Sequence, residues 1–311
     1  MRCPKCQFDH ELQTTECLKC GIVFSRYRGA TEGETKAGAA AAPTVGAPAQ
    51  GDAADGVVAV ERKDAVRELK LRIFAVPVAL LAARLVAGTG LRLAAAMLAM
   101  VLHESGHAIT AWLTGRWAVP MLWVTPHGQE RSWAIVVLVT GAIGFGGYVA
   151  WRLERWGWVA AAVAALLLQV MALSSPAGAT IVFFGDGGAL VLATLLMAMF
   201  YVPRESAVAR SWGLRWGLLA IGALSFVHVF LIWTGPIENL PFGEIEGVNL
   251  SDPSLLTEMY GWTALQMVDR YVRLGTICLG ALGAVYVWGL VSAYVKVRRS
   301  SAENAGALAN G

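Results

Sequence analysis

Two groups of residues in this chain have the types and spacing to hold a metal ion. The first is the run His103-Glu104-Ser105-Gly106-His107. On a helix, residues i and i+4 lie one above the other, so His103 and His107 can turn an imidazole nitrogen toward a single ion. Glu104 sits one position round, placed to reach a water held by that ion and to act as the general base of a zinc hydrolase. The second group is Cys3, Cys6, Cys17 and Cys20, two Cys-x-x-Cys pairs separated by ten residues. That is the spacing of two knuckles closing an all-thiolate, tetrahedral structural zinc site. Two disulfides or a redox Cys-x-x-Cys are the competing readings, but neither a secretion signal nor a thioredoxin-like pattern accompanies the cysteines.

The elements that must position these groups are of two kinds. His103, Glu104 and His107 lie inside LRLAAAMLAMVLHESGHAITAWL, residues 91–113, an apolar run long enough to cross a bilayer. An ionisable group at that depth costs at least a few kcal/mol, so its presence is a functional hypothesis by default. The whole chain agrees with that setting: of 311 residues 56% are hydrophobic and only 15% charged, and the mean hydropathy is +0.55. A soluble protein of this length needs far more polar surface, so the expected class is an all-α polytopic membrane protein. The net charge of +3 is concentrated at a few juxtamembrane sites and makes no long basic face, so nucleic acid is not an expected partner.

Residues 1–28 read as a zinc ribbon; the tail GIVFSRYR after Cys20 looks like the short zinc-ribbon modules of many bacterial proteins. So short a module buries little core, and metal binding supplies its folding energy. Residues 29–60, rich in Ala, Gly, Pro and Thr, read as a disordered linker. The opening MRCPKCQFDH has no charged stretch followed by an apolar one, so a cleaved signal peptide is not expected. Arg62, Lys63, Arg67, Lys70 and Arg72 precede the first apolar run and by the positive-inside rule hold the N-terminus in the cytoplasm. The membrane domain then occupies 61–299, and 300–311 read as a disordered tail.

Apolar segments at about 72–88, 91–113, 132–150, 157–175, 182–201, 214–234 and 274–295 predict six or seven transmembrane helices. If the first crosses, the His-Glu helix runs from outside to inside and its histidines lie in the cytoplasmic half. Between the second and third segments, TGRWAVPMLWVTPHGQERS carries Pro120, Pro126 and Gly128 in apolar surroundings and predicts a short membrane-dipping hairpin. The glycines of GAIGFGGYVA in the third segment are read as close helix packing. An interfacial helix is expected from about Ser254 in the last long loop, to which the sequence assigns no chemistry. His127 and His228 are read as a loop histidine and a packed histidine, and Cys278 as a buried apolar residue.

Asp186, between glycines in FFGDGGALVL, supports two readings. It can cap the helix that follows, and it is a carboxylate close to hydrocarbon with an incomplete two-histidine site upstream, hence a candidate third zinc ligand.

HESGHAITAWLTGR followed by an apolar hairpin, two helices and GDGG resembles the site-2 protease family of intramembrane zinc metalloproteases, over roughly residues 91–201. The resemblance implies zinc on His103, His107 and Asp186 with Glu104 as base, a site near the cytoplasmic face, and transmembrane proteins as substrates. The chain departs from the family ahead of the aspartate, where Ser174, Ser175 and Pro176 stand in place of an asparagine with prolines. The cofactors implied are two zinc ions, one catalytic and one structural. The setting implied is the bacterial inner membrane, with the ribbon free to meet a cytoplasmic partner. A catalytically inactive zinc-ribbon adaptor of the same fold is the alternative, and a proton or metal transporter a third class. One conflict stands. Arg204, Arg210 and Arg215, and later Lys296, Arg298 and Arg299, favour the cytoplasm, yet seven spans from a cytoplasmic N-terminus put both clusters outside.

Overall fold

Every one of the seven apolar segments forms helix, because runs rich in Ala, Leu and Val in a low-polarity setting must satisfy their backbone groups internally. A computed structural model describes residues 50–309 apart from 204–205, 244 and 247–248. Cys3, Cys6, Cys17 and Cys20 lie outside the described residues. In chain order the helices are α1 (Gln50–Val86), α2 (Arg92–Leu113), α3 (Trp133–Arg152), α4 (Trp156–Ser174), α5 (Ala177–Phe183), α6 (Asp186–Ala198, continued by a tighter turn to Tyr201), α7 (Ala207–Arg210), α8 (Trp212–Thr234), α9 (Asp252–Tyr260) and α10 (Ala264–Ala309). Two short strands, β1 (Ile245–Glu246) and β2 (Asn249–Leu250), pair antiparallel before α9. By length and composition α3, α4, α8 and most of α10 can each cross a membrane, and α5 with α6, bent by 54° at their break, passes the same test as a pair.

Two expected boundaries move. Helix α1 begins at Gln50, inside the stretch read as linker, and α10 continues to Ala309 through the stretch read as tail. Both extensions are proline-free, and each prolongs an established helix, which avoids a new nucleation step.

Helices α1, α2, α6, α8 and α10 share one apolar core, with Leu190, Met197 and Phe200 facing Leu219, Phe226, Tyr271 and Leu282. Helix α1 contains Pro77, which leaves the carbonyl of Ile73 without its helical donor; the Tyr286 hydroxyl on α10 donates to that oxygen at 3.1 Å. The α3–α4 hairpin is mostly exposed and is tied by Gln169, buried between the two helices, to which the Thr140 hydroxyl donates at 3.0 Å. The close packing expected of the α3 glycines holds for Gly147 alone, against Ala162; Gly141, Gly144 and Gly146 face open space.

One end of the bundle is fastened by charge. Glu68 on α1 accepts from Arg72 Nε at 2.7 Å and from Arg215 Nη2 on α8 at 2.6 Å. Arg72 also donates to the carbonyls of Gly289 on α10 and Val202 beyond α6, and the Tyr201 hydroxyl donates to the Arg72 carbonyl. Burial alone would raise the Glu68 carboxyl, but hydrogen bonds from Arg215 and Arg72 outweigh it and hold the group near 2. These bonds bring all three basic clusters, within α1, around α7 and after residue 289, to the same end. From that end α1 and α8 lead away, while α6 and α10 lead back, since Asp186, Trp233 and Tyr271 meet at the other end.

Helix α2 also leads away from the basic end. It runs antiparallel to α5–α6, with His103 on Asp186 and His107 on Ile181, and Arg92 near its start lies within electrostatic reach of His228 on α8. Residues 68–72 of α1 therefore lie at the basic end, and His103 and His107 of α2 lie at the other.

Candidate metal centre

The contact that builds the site is made by two glycines. Gly106 lies between the histidines on α2, and Gly188 lies in the first turn of α6; a Cβ on Gly188 would stand 2.5 Å from the Gly106 Cα. Only at such a distance does α2 bring its polar face against the kink between α5 and α6. That kink exposes the carbonyl of Ile181, the backbone of Gly185 and the side chain of Asp186 toward α2.

The two imidazoles are oriented by groups that accept a proton and leave their other nitrogens facing each other. His107 Nδ1 donates to the Ile181 carbonyl at 2.8 Å, which fixes its proton there because a carbonyl only accepts. His103 Nδ1 lies 2.9 Å from Asp186 Oδ1, and the second oxygen of Asp186 accepts from Trp233 Nε1 at 2.7 Å. Trp233 in turn stacks on Tyr271, whose hydroxyl donates to the Phe183 carbonyl. The two Nε2 atoms are then 3.0 Å apart. Opposite them stands Asp252 Oδ2, 3.1 Å from His107 Nε2 and 3.4 Å from His103 Nε2. Among the described residues this oxygen is buried without a partner in hydrogen-bonding geometry.

Three lone-pair atoms drawn together in this way repel one another unless a cation or a shared proton lies between them. Ligands at about 2.0–2.2 Å around a tetrahedral zinc are separated by roughly 3.3 Å, close to all three observed spacings. His103, His107 and Asp252 are thus a set able to hold a metal ion. Gly185 forms its floor: a Cβ there would lie 2.6 Å from Cε1 of each histidine and 2.5 Å from Asp252 Oδ2.

The ligand set read from sequence and the groups that converge here differ in one member. Asp186 reaches the site, but on the Nδ1 side of His103, where it orients the ring as the outer carboxylate of a metal-bound histidine does. It is the first residue of α6 and makes no capping bond with its side chain. The third converging group is Asp252, at the start of α9. Ser251 and Ser254 hold it there, the first donating to the Pro241 carbonyl and the second accepting from Gly243 N–H at 2.7 Å. In the sequence Ser-Asp-Pro reads as an ordinary helix start, so Asp252 carried no separate signal.

Glu104 is buried beside the pair. Thr125 in the following hairpin donates to its Oε2 at 2.6 Å. The hairpin forms as expected: Ala118 pairs with His127, Val119 N–H donates to Pro126 and Met121 N–H to Val124. Its apolar edge, with Val119, Met121 and Trp123, is exposed. Glu104, Thr125, His127, Trp123, Asp252 and Leu255 line one cavity of about 90 Å³ with the two histidines, room for a few waters. His127 faces this cavity with its Nδ1 3.1 Å from the Thr125 carbonyl, outside the three-group cluster. His228 stays on α8, half-buried, and Cys278 is buried in the core. Set beside known proteins, the chain matches no family model, no curated protein and no solved structure.

Proposed function

We propose that this chain is an intramembrane zinc metalloendopeptidase, resembling the site-2 proteases, that hydrolyses peptide bonds of membrane-protein substrates within or beside the bilayer. The observation that carries the reading is the convergence of His103 Nε2, His107 Nε2 and Asp252 Oδ2, with both Nδ1 atoms engaged elsewhere and Glu104 alongside. Bound by these three groups, zinc would supply Lewis acidity, making a water acidic near neutral pH and polarising a carbonyl.

The remaining work falls to the chain. Asp186 and the Ile181 carbonyl hold both imidazoles in the tautomer that binds. Glu104, steadied by Thr125, takes the proton of the attacking water and delivers it to the leaving amine as the C–N bond breaks. The exposed edge of the hairpin offers backbone groups to a substrate segment that has unwound from its helix and lies extended. Water is rationed by burial, since all four site residues sit below the exposed surface.

On this reading α1 and α2 join the five apolar helices in the membrane, and the chain resides in a bacterial inner membrane with a cytoplasmic N-terminus. The four N-terminal cysteines hold a second, structural zinc whose module meets a cytoplasmic partner. The test is Glu104→Gln. It is expected to keep zinc and to abolish the membrane-protein fragments that wild-type cells accumulate, as read by proteomics of the two strains. An active Glu104→Gln protein would overturn the mechanism.

A further inference from the structure

We infer that the His103–Glu104–His107 site opens on the side of the membrane away from the cytoplasm. Its substrates are then proteins whose scissile segment lies at the extracytoplasmic boundary of the bilayer. This reverses the sidedness drawn from the sequence, and the reversal comes from three helices that act as independent rulers.

From Asp186 at the site to Phe200, whose carbonyl accepts from Arg215, α6 and its extension rise fourteen residues, about 21 Å at 1.5 Å each. From Arg215 to Trp233, α8 rises eighteen residues, and from Tyr271 to Gly289, α10 rises eighteen, about 27 Å in each case. The Glu68–Arg72–Arg215 cluster and the candidate metal centre therefore sit at opposite ends of the same bundle. A hydrocarbon core is about 30 Å thick, so a cluster at one boundary puts the site near the other.

Charge says which boundary is cytoplasmic. The segments that meet at the cluster end, 61–72, 203–215 and 296–299, hold eleven Lys and Arg. Those at the site end, 114–131, 235–263 and 264–273, hold four, and 235–263 has five acidic residues with no cation. By the positive-inside rule the cluster end is cytoplasmic. Exposed aromatic residues mark both boundaries, Trp212, Trp288 and Tyr294 at the cluster end and Trp117, Trp123 and Trp133 at the site end.

The crossings then add up. The pair α1–α2 crosses once, α3 and α4 go and return, since Arg131 before α3 donates to the Leu173 carbonyl near the end of α4. The α5–α6 unit, α8 and α10 add three more. Six crossings place both termini of the domain in the cytoplasm, which removes the conflict left by a seven-span count.

The substrate class rests on the protease reading; the sidedness does not, and the test is chosen so that the two fail separately. Gln129→Cys in the exposed hairpin and Ala302→Cys past the basic end are made in the full chain, and right-side-out vesicles are treated with a membrane-impermeant maleimide. Peptide mass mapping separates these sites from the native cysteines. Labelling at 129 is expected to exceed that at 302 by about tenfold, and detergent to equalise them. Labelling of 302 in preference to 129 would place the site on the cytoplasmic side, and equal labelling in sealed vesicles would refute the two-ended arrangement. Neither result depends on zinc or on turnover, whereas an inactive protein with the expected labelling would remove the substrate class alone.

Discussion

Replacing Asp252 distinguishes the three-group cluster that converges in the fold from the ligand set suggested by sequence. In the fold, Asp252 Oδ2 completes a triangle with edges of 3.0, 3.1 and 3.4 Å, whereas Asp186 touches only the far nitrogen of His103. Loss of an outer partner of a metal-bound histidine lowers affinity about ten- to a hundredfold, or about 1.4–2.8 kcal/mol. Loss of a direct ligand should exceed that ceiling. Asp186→Asn, whose amide oxygen can still accept from Nδ1, is expected to weaken zinc by about tenfold, and Asp252→Ala by more than about a hundredfold. The assay is competition against a chromophoric chelator, on the full chain with Cys3, Cys6, Cys17 and Cys20 changed to Ser so that a single site is counted. If Asp252→Ala binds within about threefold of the parent while Asp186→Ala loses zinc, the ligand is Asp186 and the assignment from geometry fails.

Gly185→Ala puts a methyl against both imidazoles and Asp252 and is expected to abolish zinc binding at the site while the helical circular dichroism stays unchanged; retained zinc would show that the floor of the site gives way. Thr125→Val removes the hydroxyl that holds the Glu104 carboxylate and is expected to leave zinc affinity intact while lowering turnover of a membrane substrate by about tenfold, a fraction of what a general base contributes. Glu68→Gln strands two buried guanidinium groups and should destabilise the bundle by about 3–5 kcal/mol, read as a lower melting temperature in detergent. The pH dependence has a definite sign. The carboxyl sits near 2 when folded against an ordinary 4.5, so its contribution is complete above about 4.5 and is lost as pH falls toward 2. Wild type should lose stability across that window, and Glu68→Gln should lack that loss.

Much of the fold was legible because membrane helices are a matter of length and polarity, and all seven apolar segments are helical. The His-Glu-x-x-His face and the hairpin were legible for a related reason, since i, i+4 spacing and Pro/Gly breakers act locally. What sequence missed is what depends on which backbones touch. Asp252 lies 145 positions beyond His107 and looks like the first-turn acid of a surface helix; only the Gly106–Gly188 contact and the serine ties of the α9 start bring it to the imidazoles. Asp186 was legible as a carboxylate for this site, but spacing says nothing about which edge of the His103 ring it meets. The directions of α1 and α2 have the same character, since each is fixed by partners far along the chain, Tyr286 and Gly289 for α1 and Ile181 and Asp186 for α2.

The position of Asp252 has a consequence for how the proposed enzyme works. His103 and His107 are carried by a helix at the centre of the bundle, but Asp252 is carried by the segment between α8 and α10, which reaches the bundle mainly through α5 and the start of α10. Metal binding would therefore join that segment to α2, and the free energy of the joint is shared between affinity and closure. The cavity of about 90 Å³ has room for a few waters, and Trp123, Leu250 and Leu255 are among its walls. These three residues belong to the hairpin and to the α9 segment, not to the bundle. The Glu68 network fastens the opposite end at a distance of about 20 Å or more, so the bundle can stay fixed while the site opens. In the proposed enzyme a movement of α9 away from α2 would withdraw Asp252 from the imidazoles, while Asp186 holds His103 from the other side, so access and metal retention would be opposed through a single residue.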